Sequence, residues 1–310
     1  MKTARFLLAF AVLAFCSGTA RASGGYANPL YRYGIGSNVL GVGGAVVSLA
    51  YDPASILVNP AGAAFAGRGR FAASHSALAF DRTINFVGFS RQIDPQAGFS
   101  VSWVSSGVSD LIGYDLSGNS TGPLDNSSNT VAATFASKFG PIAAGVSAKW
   151  HRVSLNKQQS AGWSFNVGAL ARPLPGLSIG VSARDLLGTT VWTTETDVGQ
   201  LRSEDTFPVT LSGGVSYAVA RLRTTLAADF EHVGSEGDYL HLGTSVVVNQ
   251  YLRVRAGYRW IGIAESCRKA AFAGGIGLST AFGDNRVHFD YSVLNEALGA
   301  AHSLGMAFEL

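Results

Sequence analysis

From Arg70 to Leu310 the chain repeats one pattern, runs of roughly ten residues in which apolar side chains alternate with Ser, Thr, Gly and Asn. A period of two puts alternate side chains on opposite faces of a strand. Leu177, Ile179, Val181 and Ala183 oppose Ser178, Gly180, Ser182 and Arg184. Phe207, Val209, Leu211, Val215 and Tyr217 oppose Thr210, Ser212, Gly214 and Ser216, and Val287, Phe289, Tyr291 and Val293 oppose His288, Asp290 and Ser292. In Gln250–Trp260, Leu252, Val254, Ala256, Tyr258 and Trp260 face away from Arg253, Arg255 and Arg259. That segment alone fits a half-buried soluble strand or a barrel strand with lumen arginines. Composition separates the two. Charged residues make up 14% of the chain, against about 25% in soluble domains. Beyond Ala22 no apolar run approaches the ~20 residues of a spanning helix. A charge-poor chain without such helices can satisfy its backbone in lipid only as a closed barrel.

The alternation predicts an all-β fold, a transmembrane antiparallel barrel of about fourteen strands. They fall near 70–80, 83–91, 96–106, 130–139, 141–153, 160–172, 176–186, 206–218, 221–232, 238–248, 250–260, 269–282, 286–294 and 301–310. Tight turns are expected at Gly140-Pro141, Pro173–Gly176, Asn249-Gln250 and Gly283–Asn285, and long loops over 107–129 and 187–205. Short turns on one rim and long loops on the other suit the periplasmic and extracellular ends of such a barrel. Trp150, Trp163, Tyr217, Tyr239, Tyr258, Trp260, Phe282 and Phe308 lie near strand ends, where amphipathic rings favour the membrane interface.

Residues 34–69 differ in kind: small, apolar and glycine-rich, with two Asx-Pro pairs, Asp52-Pro53 and Asn59-Pro60. An Asx side chain caps free N–H groups, and proline suits the first helical position. Two short helices are therefore expected, near 53–58 and 60–65, in a plug held by its container. The start is a basic Met1–Arg5, an apolar Phe6–Phe15 and Ala20-Arg21-Ala22, the parts of a cleaved signal peptide over 1–22. The chain thus divides into 1–22 signal peptide, 23–69 lead-in and hatch, and 70–310 barrel. Without Lys2, Arg5 and Arg21 the basic count falls from 23 to 20 against 20 acidic residues, so nucleic acid is not an expected partner. Cys267 would be the sole remaining cysteine, which rules out an internal disulfide.

The stretch GVGGAVVSLAYDPASILVNPAG resembles the N-terminal signature of the PorV/PorQ-like outer-membrane family, within the wider FadL-like barrels. Further matches are AAGVSAKWHRVSL (143–155), LSIGVSARDLLG (177–188), LRVRAGYR (252–259) and the C-terminal 289–310. The resemblance implies a fourteen-stranded barrel whose hatch motif maps onto Asp52, Pro53, Asn59, Pro60, Ala61 and Gly62. It departs at Arg184-Asp185-Leu186-Leu187-Gly188, where an Arg-Asn-Leu-Gly turn is usual. PorV-type members serve protein export or surface attachment, with secretion-system or secreted proteins as partners. FadL-type members pass fatty acids and other hydrophobic small molecules through the hatch and out sideways. The export role is the main expectation and the channel its alternative, both in the outer membrane of a diderm bacterium with membrane lipid around the wall.

No Gly-x-Ser-x-Gly elbow or His-Glu-x-x-His occurs. The mature histidines are scattered over six strands and are expected as polar lumen residues, although His288, Asp290 and a nearby Ser could assemble. No enzyme activity, cofactor or metal is expected. Arg253, Arg255 and Arg259 form either an anion-binding lumen stripe or internal ion pairs with Asp229 and Glu231, on a strand face that also carries Arg223. Lys149 and His151 share one face and the same two readings. Asp52 and Asn59 act as helix caps or as the hinge of a movable hatch.

Overall fold

The computed structural model describes residues 34–156, 158–196, 199–234, 237–263, 267–296 and 298–310. The expected signal peptide and the 23–33 lead-in lie outside them. The strands run β1 (Arg70–Leu78), β2 (Arg82–Asp94), β3 (Ala97–Val108), β4 (Ile112–Tyr114), β5 (Ser120–Pro123) and β6 (Asn126–Phe139). They continue as β7 (Ile142–Leu155), β8 (Gln158–Leu174), β9 (Leu177–Thr196), β10 (Gly199–Thr206), β11 (Thr210–Val219) and β12 (Thr224–Val233). The last are β13 (Gly237–Val247), β14 (Leu252–Ile263), β15 (Cys267–Phe282), β16 (Asn285–Glu296) and β17 (Gly299–Glu309). Every pairing is antiparallel, and the ladder closes where β1 pairs with β17 and β8 with β9. β10 pairs only with the outer half of β9, and β4 with β5 makes a separate hairpin. What remains of the fifteen-stranded sheet is a closed barrel of fourteen strands, as the alternation predicts.

Burial tells the two faces of the wall apart. Val181 is 55% exposed and its neighbour Ser182 only 7%, the reverse of a soluble protein. Outward stand Phe135, Val146, Phe272 and Phe289, while Ser90, Ser147, Ser164, Ser292 and Ser303 are buried inside. Such a wall is stable only with hydrocarbon around it.

Two expectations about connections change. The 187–205 region is not a loop: β9 runs on to Thr196 and folds back as β10. Within the other long connection, β4 and β5 close a hairpin whose turn is set by Asp115. That carboxylate accepts the backbone amide (2.8 Å) and side-chain amide (3.1 Å) of Asn119 and the amide of Ser117 (2.9 Å), which holds its pKa below the usual carboxylate value.

Residues 34–69 fill the lumen. α1 (Ser37–Gly41) packs on β14–β17, and α2 (Pro53–Ile56) on β1–β3. A 3-10 helix (Pro60–Phe65), rather than the expected α-helix, packs on β2, β3 and β6–β8. The hatch backbone lies directly on the wall backbone because the wall is glycine there. A Cβ at Gly145 would come 2.5 Å from the Pro60 carbonyl, and one at Gly257 would strike the backbone of Gly43. Gly145→Val is therefore expected to lower stability by about 1–3 kcal/mol through overpacking. The check is its thermal unfolding midpoint in detergent, since a tolerated valine would show the hatch is not seated here.

Candidate functional site

The 3-10 helix and α2 start where their caps dictate. The Asp52 carboxylate accepts the amides of Ala54 (3.0 Å) and Ser55 (3.3 Å), and Ser55 Oγ returns a capping-box contact. Pro53 and Pro60 occupy first helical turns. Asn59 does more than cap. Its Oδ1 accepts from Ala61 N (3.1 Å), while Nδ2 donates to the carbonyls of Val47 (2.8 Å) and Ala169 (3.1 Å). One side chain thus joins two hatch segments to β8. Ala61 is wholly buried, and a Cβ at Gly62 would collide with the Ala50 carbonyl. Asp229 completes the seat by accepting Val47 N through Oδ2 at 2.7 Å.

On the side of the hatch away from Gly69 and Leu310, a cavity of about 120 Å³ remains. The hatch contributes Ile35, Val39, Leu57 and Val58, and the wall adds Val104 and Phe207. Opposite stand Lys149, His151, Arg184, Asp185, Glu231, His241 and Arg259. Arg184 and Asp185 are adjacent in sequence yet both line it, which regular alternation forbids. Asp185 (φ 59°) and Leu187 (φ 53°) take left-handed conformations, and the β8–β9 register shifts between Trp163 and Val167. These are β-bulges, and Asp tolerates the left-handed region better than most residues. The segment with the unusual Arg-Asp-Leu-Leu-Gly sequence is thus a bulged strand, not a turn. Asp185 N is satisfied by the Asn166 side chain at 3.0 Å.

The ladder on one side of β9 is broken beside this cavity. β9 pairs with β11 up to Arg184 and with β10 from Thr189 onward. Between them Phe207 N reaches Gly188 O (2.9 Å), and Pro208 has no N–H to offer. Phe207 turns inward, 7% exposed, and its ring lies on His151 with centroids 4.4 Å apart.

The ion pairs of the lumen differ in part from the expected ones. Arg255 meets Asp290 (2.6 Å) rather than Asp229 or Glu231, and Arg259 meets Glu296 (3.2 Å) while also lying within electrostatic reach of Glu231. Glu231 instead pairs with Arg184 (2.5 Å), and Lys149 with Asp185 (2.7 Å). His151 is held by Thr130 and Ser164, each at 2.8 Å, and does share Lys149's lumen face. Arg253 is half-buried near the start of β14, outside the cavity lining, and Arg223 sits exposed in the turn before β12, φ 49°. The set suggested around His288 assembles with other members: Nδ1 contacts Ser279 Oγ (2.7 Å) and Nε2 contacts Glu309 (3.2 Å), which also binds Arg70. It ties the last strand to its neighbours at the closing seam. His75 and His302 are not lumen residues but stand exposed on the outer wall, against Asn85 and Tyr291. Sequence reasoning missed Arg184, Asp185, Phe207 and His241 as site residues. The polar doublet at 184–185 and the Phe-Pro at 207–208 were its only signals.

No family model matches the chain, and a search of curated proteins finds no relative. Solved structures do match. The monoaromatic hydrocarbon channel CymD is 13% identical, with 89% of this chain and 96% of that one aligned at a TM-score of 0.62. The P. putida toluene transporter TodX is 15% identical over 89% and 98%, TM-score 0.62. A Pseudomonas aeruginosa FadL homologue is 11% identical over 92% and 98%, TM-score 0.59. At these identities the likeness is one of fold alone, the closed antiparallel barrel described above.

Proposed function

We propose that the chain is a non-enzymatic outer-membrane conduit for uncharged hydrophobic small molecules. The observation that carries this is the coincidence of a half-apolar cavity with the break between the β9–β11 and β9–β10 pairings, closed by the Phe207 ring. A sideways route into lipid needs both, and a molecule crossing it meets no aqueous step. The fold neighbours named as a toluene transporter and a hydrocarbon channel support the same reading. Lipid covers the outer wall, and the hatch motif, Asp52 through Gly62, holds the lumen closed to water.

Labelled toluene should enter cells expressing the full chain faster than cells carrying an empty vector, and Phe207→Ala should raise the rate further by removing the ring at the break. Equal entry with and without the chain would sink the proposal. Export accessory work would instead use the two far-rim hairpins, where Ile112 and Tyr114 are exposed. The secreted proteome of a deletion strain is expected to be unchanged.

A further inference from the structure

We infer that the cavity holds a ring-sized, uncharged hydrophobic molecule bearing one hydroxyl group, with His241 Nε2 accepting its O–H. This rests on the cavity being part of a hydrophobic conduit. Three observations converge on it.

The first is the imidazole. His241 is 6% exposed and lines the cavity from β13. Its Nδ1 lies 2.8 Å from the Gly43 carbonyl, an atom that only accepts, so Nδ1 carries the hydrogen. In the neutral ring Nε2 then presents a lone pair, and this atom has no hydrogen-bond partner and is covered by neighbouring side chains that an arriving hydroxyl must displace. Buried acceptors are seldom left so, and this one asks for a donor. The second is charge. The cavity's lysine and two arginines each face a carboxylate, Asp185, Glu231 and Glu296 respectively for Lys149, Arg184 and Arg259. A carboxylate ligand would have to displace one of them, leaving a buried acid uncompensated. An amine would add a fourth cation to this balanced set. The hydroxyl is the donor that adds no charge. The third is size. At about 120 Å³ the space is comparable to the ~150 Å³ apolar cavities that take up benzene. With Ile35, Val39, Leu57 and Phe207 around the ring, a single-ring phenol matches both the apolar and the polar side.

The test is saturation-transfer NMR on the purified full chain in detergent, with p-cresol, toluene and benzoate as probes. p-Cresol should bind about tenfold more tightly than toluene, the worth of one hydrogen bond to an otherwise unpaired buried acceptor, and benzoate should bind weakest. In His241→Phe, toluene binding should persist and the advantage of p-cresol disappear, with unchanged heat-modifiable gel migration showing an intact barrel. Toluene binding as well as p-cresol in the wild type would overturn the hydroxyl site while leaving the conduit standing. Retention of the p-cresol advantage in His241→Phe would do the same. Binding of neither neutral probe would remove the conduit itself.

Discussion

Asn59→Asp is expected to turn a sealed barrel into a conducting one. The aspartate keeps the oxygen that caps Ala61 N but loses both amide donors, stranding the Val47 carbonyl and leaving the Ala169 carbonyl only its place in the β8 ladder. Each buried group left without a partner costs about 1–3 kcal/mol, and a buried charge beside two carbonyl oxygens adds to that. The loss falls on the one side chain that joins two hatch segments to the wall, so the hatch should leave the lumen in a measurable fraction of molecules. Planar-bilayer recordings should show ion current through Asn59→Asp and none through the wild type. If the variant stays as silent as the wild type, Asn59 is a helix cap and no more.

The second large effect concerns stability. Arg255 and Asp290 are 9% and 9% exposed and lie 2.6 Å apart. Removing either partner leaves a buried charge without compensation, which costs about 3–5 kcal/mol. Arg255→Met and Asp290→Leu should each lower the urea midpoint of the detergent-solubilised barrel sharply, while the double variant should regain most of the loss. Arg255 also packs against Gly41 of α1, so its loss loosens the hatch as well. Additive single and double effects would show that the two side chains do not act as a pair.

Strand positions were legible where the period of two was unbroken, and there the wall strands lie within a few residues of where the alternation puts them. β9 reads as ending near residue 186 because Arg184-Asp185 and Leu186-Leu187 break the alternation twice. In the folded chain those doublets are bulges, and a bulge looks in sequence like a strand's end. The ion-pair partners were not legible. Sequence points Arg255 toward the acids of β12, two strands away on one side, but it pairs with Asp290 two strands away on the other. Gly275 and Gly277 of the intervening β15 clear that path: Gly275 sits opposite Arg255, and Gly277 opposite Asp290. These two glycines let an arginine reach across a strand.

Residue order was enough to establish that one side of each strand meets lipid and the other a lumen, and that Asp52 and Asn59 start two short helices. Both are local properties, a two-residue period and a cap with its proline, complete within a few positions. The folded chain was needed to learn which charges neutralise one another, where the wall is interrupted, and that His241 is left with an unshared lone pair. Those depend on the stagger between distant strands and on where the hatch comes to rest, and neither is recorded in any single stretch of chain.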